Sequence, residues 1–131
     1  MAKRVAIIAS SGGIETAYKV LNIAMAATAT DAEVTIFFTF EGLNIIHKDA
    51  ENLLSFAAGN EHYAEGFKKA NIPSLSQMLQ MAVESGVKLI ACQMTMDVAG
   101  LEKAHFIDGV EVGGAVTFLD FAYDSDVTVT F

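Results

Sequence analysis

The one strong nucleophile in this 131-residue chain is Cys92, its only cysteine. It closes the apolar run Val87 to Ala91, which reads as a buried strand. Thr95, Met96 and Asp97 read as the opening of a short helix, and Gly100 supplies its stop. A thiol at the mouth of a parallel strand, facing a helix start, sits where α/β proteins bind ligands. Backbone N–H groups there favour thiolate, whereas burial favours thiol. No basic side chain is forced next to the sulfur, so the expectation is a modest drop from the ordinary thiol pKa of about 8.5. Two readings stand on these residues alone: a reactive thiolate, and an inert buried thiol of the kind common in cores.

Met94 and Met96 flank the thiol and would make soft, apolar walls, although such methionines more often belong to a core. Thr95 and Asp97 lie within reach on the same segment. Asp97 would either cap the short helix, its more ordinary role, or orient a group near the sulfur. Two small-residue loops complete the candidate contacts: Ser11, Gly12 and Gly13, and Gly113 with Gly114. Each follows an apolar run and precedes a helical pattern. Either is a tight turn or a backbone cradle for an anion. Neither GxGxxG nor a Walker lysine is present. His47, His62 and His105 lack metal-ligand spacing and read as solvated or capping residues. No metal site and no cofactor is called for, because one cysteine cannot build paired-thiolate zinc ligation.

The elements that must position these residues follow from period and punctuation. Val5 to Ala9 reads as a first buried strand, and a helix starts at Ile14 with Ala17, Tyr18, Leu21 and Met25 on one face. Val34 to Phe40 is the strongest strand pattern. The stretch from Glu41 to Asn71 is a long excursion, with short helices expected around Leu43–His47 and over Glu61 to Ala70. Its length and glycines suggest a mobile flap over or beside the Cys92 edge. Ser74 and Gln77 form a capping box for a helix from Leu75, with Leu75, Met78, Leu79, Ala82 and Val83 buried and Gly86 at its end. Val110 to Val112 is a short strand, Ala115 to Tyr123 a helix with Phe118, Leu119 and Ala122 facing in, and Val127 to Phe131 an edge strand. Strands alternating with helices predict one α/β domain over 1–131. It would be a three-layer α/β/α sandwich on a mainly parallel five-stranded sheet of flavodoxin-like architecture. In such a sheet, Cys92 and both glycine loops share one edge.

Composition narrows the function classes. A net charge of -8 repels phosphate backbones and argues against nucleic-acid binding. The apolar run after Lys3 and Arg4 is too short for a signal peptide, and no apolar stretch is long enough to cross a bilayer. A cytoplasmic, reduced protein without membrane contact is expected. The 53% share of apolar residues and the Phe-rich segments Phe37–Phe40 and Phe118–Phe121 predict a two-fold or three-fold homo-oligomer.

The runs IACQMTMDVAG from Ile90 and FIDGVEVGGAVTFL from Phe106 resemble the DsrE/DsrF-like family, especially its DsrE2-type and DsrE3-type branch. TFEGLN at Thr39 to Asn44 and IPSL at Ile72 to Leu75 fit as well, so the resemblance covers nearly the whole chain. It implies the α/β/α fold, oligomers, and cytoplasmic sulfur trafficking. A cysteine matching Cys92 would carry sulfur as persulfide or thiosulfonate and exchange it with TusA-like or rhodanese-like partners. Some members of the branch have a second cysteine shortly after the first, where this chain reads Ala99-Gly100-Leu101. Many carry a longer Met- and Lys-rich insertion where this chain has Asp49 to Ala70. The residues and the resemblance together leave a sulfur carrier or sulfurtransferase acting through Cys92 on small anionic sulfur compounds. The alternatives are a module binding a small ligand or nucleotide at Ser10 to Gly13, and an oligomer subunit with an inert cysteine.

Overall fold

The computed structural model describes residues 2–131. Alternation along the strands splits the core into two unequal layers. Val5, Ile7 and Ala9 of β1 (Arg4–Ala9), Val34, Ile36 and Phe38 of β2 (Glu33–Phe38), and Leu89 and Ala91 of β3 (Lys88–Cys92) point to one face. There they pack against α1 (Ile14–Ala29) and α4 (Leu75–Glu84). Ala6, Phe37, Ile90 and Cys92 point to the other face, beneath Phe118 of α6 (Ala115–Ala122). Period-2 alternation of strands buried on both sides produces this division.

The sheet is parallel throughout, in the order β4-β3-β2-β1-β5, with β4 over Val110–Gly113 and β5 over Val127–Thr130. The five-stranded α/β architecture expected from the sequence is what the chain forms. The capping box at Ser74 and Gln77 closes as anticipated, with Gln77 N–H donating to Ser74 Oγ at 3.2 Å and Ser74 N–H to Gln77 Oε1 at 2.8 Å.

Several boundaries differ from the sequence reading. Strand β2 stops at Phe38, and Phe40 turns out into a 3-10 turn over Phe40–Ile45 in place of a helix at Leu43–His47. The cause is a close approach: a Cβ on Gly42 would collide with the Ala9 carbonyl at the end of β1, so the chain is folded tightly against that strand end. Short helices follow, α2 at Ala50–Leu53 and α3 at Tyr63–Lys69. The short helix after Cys92, α5, spans Gln93–Ala99, so it begins two residues before Thr95, with Cys92 itself as N-cap. Gly100 ends it in the left-handed region at φ 70°. On α6 only Phe118 is fully buried; Leu119 is 38% exposed rather than facing in.

Candidate functional site around Cys92

Register brings Cys92 beside the second glycine loop. Cys92 pairs with Gly113 across β3 and β4, and a Cβ at Gly113 would lie 3.1 Å from Ile90 Cγ2 and 3.2 Å from Thr117 of α6. A side chain there would push α6 off the sheet, and Gly114 then serves as the N-cap of α6. The two chain exits diverge at this point. After β3 the chain turns toward the α1–α4 face, where Met96 is buried and Leu101 packs. After β4 it turns to the opposite face as α6. Adjacent strands whose connections leave to opposite faces open a crevice at their carboxyl ends, the preferred ligand position in open α/β sheets. Cys92 lies at that crevice and is 5% exposed.

Cys92 is the N-cap of α5 without a side-chain cap hydrogen bond, and four nearby donors act on its thiol. Burial pushes the Cys92 thiol pKa up, but the Thr95 hydroxyl and N–H, the Thr39 hydroxyl and the Met94 N–H together outweigh it and hold the thiol below its ordinary value. The modest depression expected from position is therefore present in direction. Thr39 is the residue the sequence reading did not place in the site. It follows β2 directly, and since Phe38 pairs with Ala91, its backbone lies beside Cys92. Its Oγ1 is 3.2 Å from Thr95 Oγ1, and Phe40 N–H donates to Thr95 Oγ1 at 3.1 Å. The signal available in the sequence was a threonine ending the neighbouring strand, at the head of TFEGLN.

The remaining candidates separate. Met94 is 58% exposed at the rim, whereas Met96 belongs to the opposite core layer and does not wall the thiol. Asp97 neither caps α5 nor touches the sulfur; it accepts from Gln93 Nε2 at 2.8 Å on the exposed side of the helix. Ser11, Gly12 and Gly13 follow β1, two strands and so ~10 Å away from β3. This loop is also not a free cradle. Ile14 N–H is spent on the Ser55 carbonyl at 3.1 Å, the Glu41 carbonyl faces Gly12, and the adjoining cavity is lined by Glu15 and Glu41. Lys19 also lines that cavity, but the two carboxylates outnumber it, so the loop does not offer the net positive setting an anion would need.

His47 Nδ1 accepts from Asp49 N–H and His105 Nδ1 from Glu102 N–H, both at 2.9 Å, so these two stabilise turns. His62 lies against the Tyr63 ring, tilted by 59°. Among the described residues, no three His, Cys, Asp or Glu side chains are grouped to share a metal ion. No helix among them is long and apolar enough to cross a membrane.

The model of the DsrE/DsrF/DrsH-like family matches residues 1–67 and 55–130. The sulfur carrier protein DsrE2 of Allochromatium vinosum is 33% identical over 153 aligned positions, covering 95% of this chain and 96% of that protein. The uncharacterized protein YrkE of Bacillus subtilis is also 33% identical, with 97% and 96% covered. Both alignments are longer than the chain, so gaps fall within them. Among solved structures, YchN from E. coli superposes with a TM-score of 0.73 over 100% of both chains at 20% identity. MTH1491 from Methanobacterium thermoautotrophicum superposes at 0.71 over 97% of this chain and 98% of its own, at 13% identity. These two show the fold, and the family model with the two 33% relatives shows more: the chain belongs to the DsrE/DsrF/DrsH-like family.

Proposed function

We propose that the protein is a cytoplasmic sulfur carrier that loads sulfane sulfur on Cys92 and passes it to the thiol of a partner. The observation that carries this reading is the sulfur itself. It sits at the carboxyl end of β3 beside β4, as N-cap of α5, where nearby neutral donors lower the thiol pKa against the effect of burial. With thiosulfate as donor, the thiolate attacks the outer sulfur. A Cys92–sulfur bond forms, the sulfur–sulfur bond of thiosulfate breaks, and sulfite leaves with the electron pair. With tetrathionate, the thiolate attacks one of the two central sulfurs: a Cys92–sulfur bond forms, the central sulfur–sulfur bond breaks, thiosulfate leaves with the electron pair, and Cys92 carries a thiosulfonate. One thiol is sufficient, because the acceptor brings the second nucleophile. A thiol that is only 5% exposed suits small donors. TusA-like or rhodanese-like proteins fit as exchange partners by resemblance. The sulfur carrier name borne by the Allochromatium relative supports the same reading.

A nucleotide module at Ser10 to Gly13 finds no favouring observation, since the loop is filled by the chain's own carbonyls and flanked by carboxylates. The deciding experiment is intact-mass spectrometry after incubation with thiosulfate, tetrathionate and polysulfide. Wild type should gain one sulfur atom or one thiosulfonate group, and Cys92→Ser, folded and assembled as wild type, should gain nothing. Sulfur uptake by the serine variant, or none by wild type, would overturn the carrier reading.

A further inference from the structure

Three residues around the sulfur are arranged more tightly than a merely buried cysteine requires. Thr95 is 5% exposed, and its Oγ1 accepts from Phe40 N–H. A hydroxyl has one proton, so that of Thr95 is left for either Thr39 Oγ1, 3.2 Å away, or the Cys92 sulfur. Phe40 makes its N–H available by sitting in the left-handed region at φ 49° with its ring 52% exposed. That conformation is costly for an aromatic residue and persists only where its surroundings dictate it. Beside a neutral thiol, the two hydroxyls bond to each other. Beside a thiolate, either hydroxyl proton is free to turn from its partner toward the sulfur.

We infer that Thr39 and Thr95, set by Phe40, are positioning residues that hold Cys92 as the leaving thiolate when a loaded sulfur is discharged. This inference rests on the carrier reading above. In discharge, an acceptor thiolate attacks the outer sulfur of the Cys92 persulfide. The acceptor–sulfur bond forms, the bond from the outer sulfur to Cys92 Sγ breaks, and the electron pair stays on Sγ. In the loaded state, negative charge lies on the outer sulfur, ~2 Å beyond Sγ. The hydroxyl pair therefore meets full charge on Sγ only as the sulfur leaves. Loading gains less, because donors that raise the thiolate fraction also lower its nucleophilicity, and the two effects partly cancel.

Charge does not substitute for the pair. The ionisable groups carried by the elements around the sulfur are Glu41 on the 3-10 turn, Asp97 on α5, Glu111 on β4 and Asp120 on α6, none of them a cation. Glu33 and Lys88 start β2 and β3, at the ends remote from Cys92, and Lys88 is paired with Glu111.

The test compares Thr39→Val with Thr39→Ser. Iodoacetamide alkylation across pH reads the thiolate, and discharge of the polysulfide-loaded protein to dithiothreitol reads the leaving step. Thr39→Val should raise the alkylation midpoint and slow discharge several-fold, with a smaller change in loading rate; Thr39→Ser should restore both. If Thr39→Val fails to fold, Thr39→Ala removes the same hydroxyl. An unchanged midpoint, or discharge slowed no more than loading, would overturn the inference. Wild type that takes up no sulfur would instead bring down the carrier reading and the discharge step with it. The alkylation profile would then still report whether the hydroxyls hold the thiolate.

Discussion

At Cys92 two large effects oppose each other, and hydrogen bonding wins over burial. The consequence is a definite pH dependence. Because the folded-state pKa lies below that of the unfolded thiol, alkylation of the native protein should rise through a lower midpoint than that of the urea-unfolded chain. The same shift adds stability above the unfolded pKa, and that increment is lost as pH falls through the folded one. Thr95→Val removes one hydroxyl facing the sulfur and the acceptor for Phe40 N–H, so its alkylation midpoint should move up. It should also be less stable by ~0.5–1.5 kcal/mol from the lost, part-buried hydrogen bond, measured by urea denaturation. A midpoint unchanged from wild type would mean that the backbone donors alone hold the anion.

The element that behaves least as anticipated is the excursion between β2 and α4. Its first turn does border the Cys92 edge, through Phe40 and Thr95. The remainder crosses to α1 instead of covering the thiol. Glu15 holds it there, accepting from Ala57 N–H at 2.9 Å and Asn60 Nδ2 at 3.0 Å, and Phe67 packs edge-on to Tyr18 with centroids 4.7 Å apart. No residue of α3 is buried, so this strap depends on a few surface contacts. Glu15 is held below the usual carboxylate range by the Asn60 side chain first and the Ala57 N–H next. Its clasp is therefore intact above the unfolded carboxylate pKa and weakens as pH falls through the folded one. Glu15→Ala should speed amide exchange over residues 55–60 at neutral pH, while residues 88–91 of β3 stay protected. Equal protection of the strap in the variant and wild type would show that the aromatic contacts suffice.

Across the whole molecule the two faces of the sheet are unequally covered. Helices α1 and α4 share one face, whereas α6 covers the other alone, stacked through Phe118 on Phe37 at 5.4 Å. Arg4 secures its far end, with the guanidinium 4.1 Å over the Phe121 ring and 3.7 Å from Asp124. The outer side of this helix leaves Val116 73%, Leu119 38% and Tyr123 77% exposed, a stripe at helical spacing. Such a stripe on a small acidic domain fits contact with a second copy through closed symmetry. Light scattering should report an oligomer at micromolar concentration, and Val116→Glu should shift it toward monomer without unfolding the chain. A wild-type monomer would contradict this.

What the sequence determined by itself was local. Apolar and β-branched patterns specified the strands, the Ser74–Gln77 box started α4, Gly100 stopped α5, and Cys92 fell at the end of a strand. These outcomes depend on propensity, period and hydrogen bonds within a few residues, which any stretch carries with it. What only the tertiary structure decided was which strand ends become neighbours. Thr39 and Thr95 meet across 56 residues because β2 and β3 are adjacent and in register. Gly113 reaches Cys92 for the same reason, whereas Ser11, Gly12 and Gly13, equally plausible in sequence, lie two strands off. Strand order and register are global solutions to burying both faces of a sheet, and no window of sequence contains them.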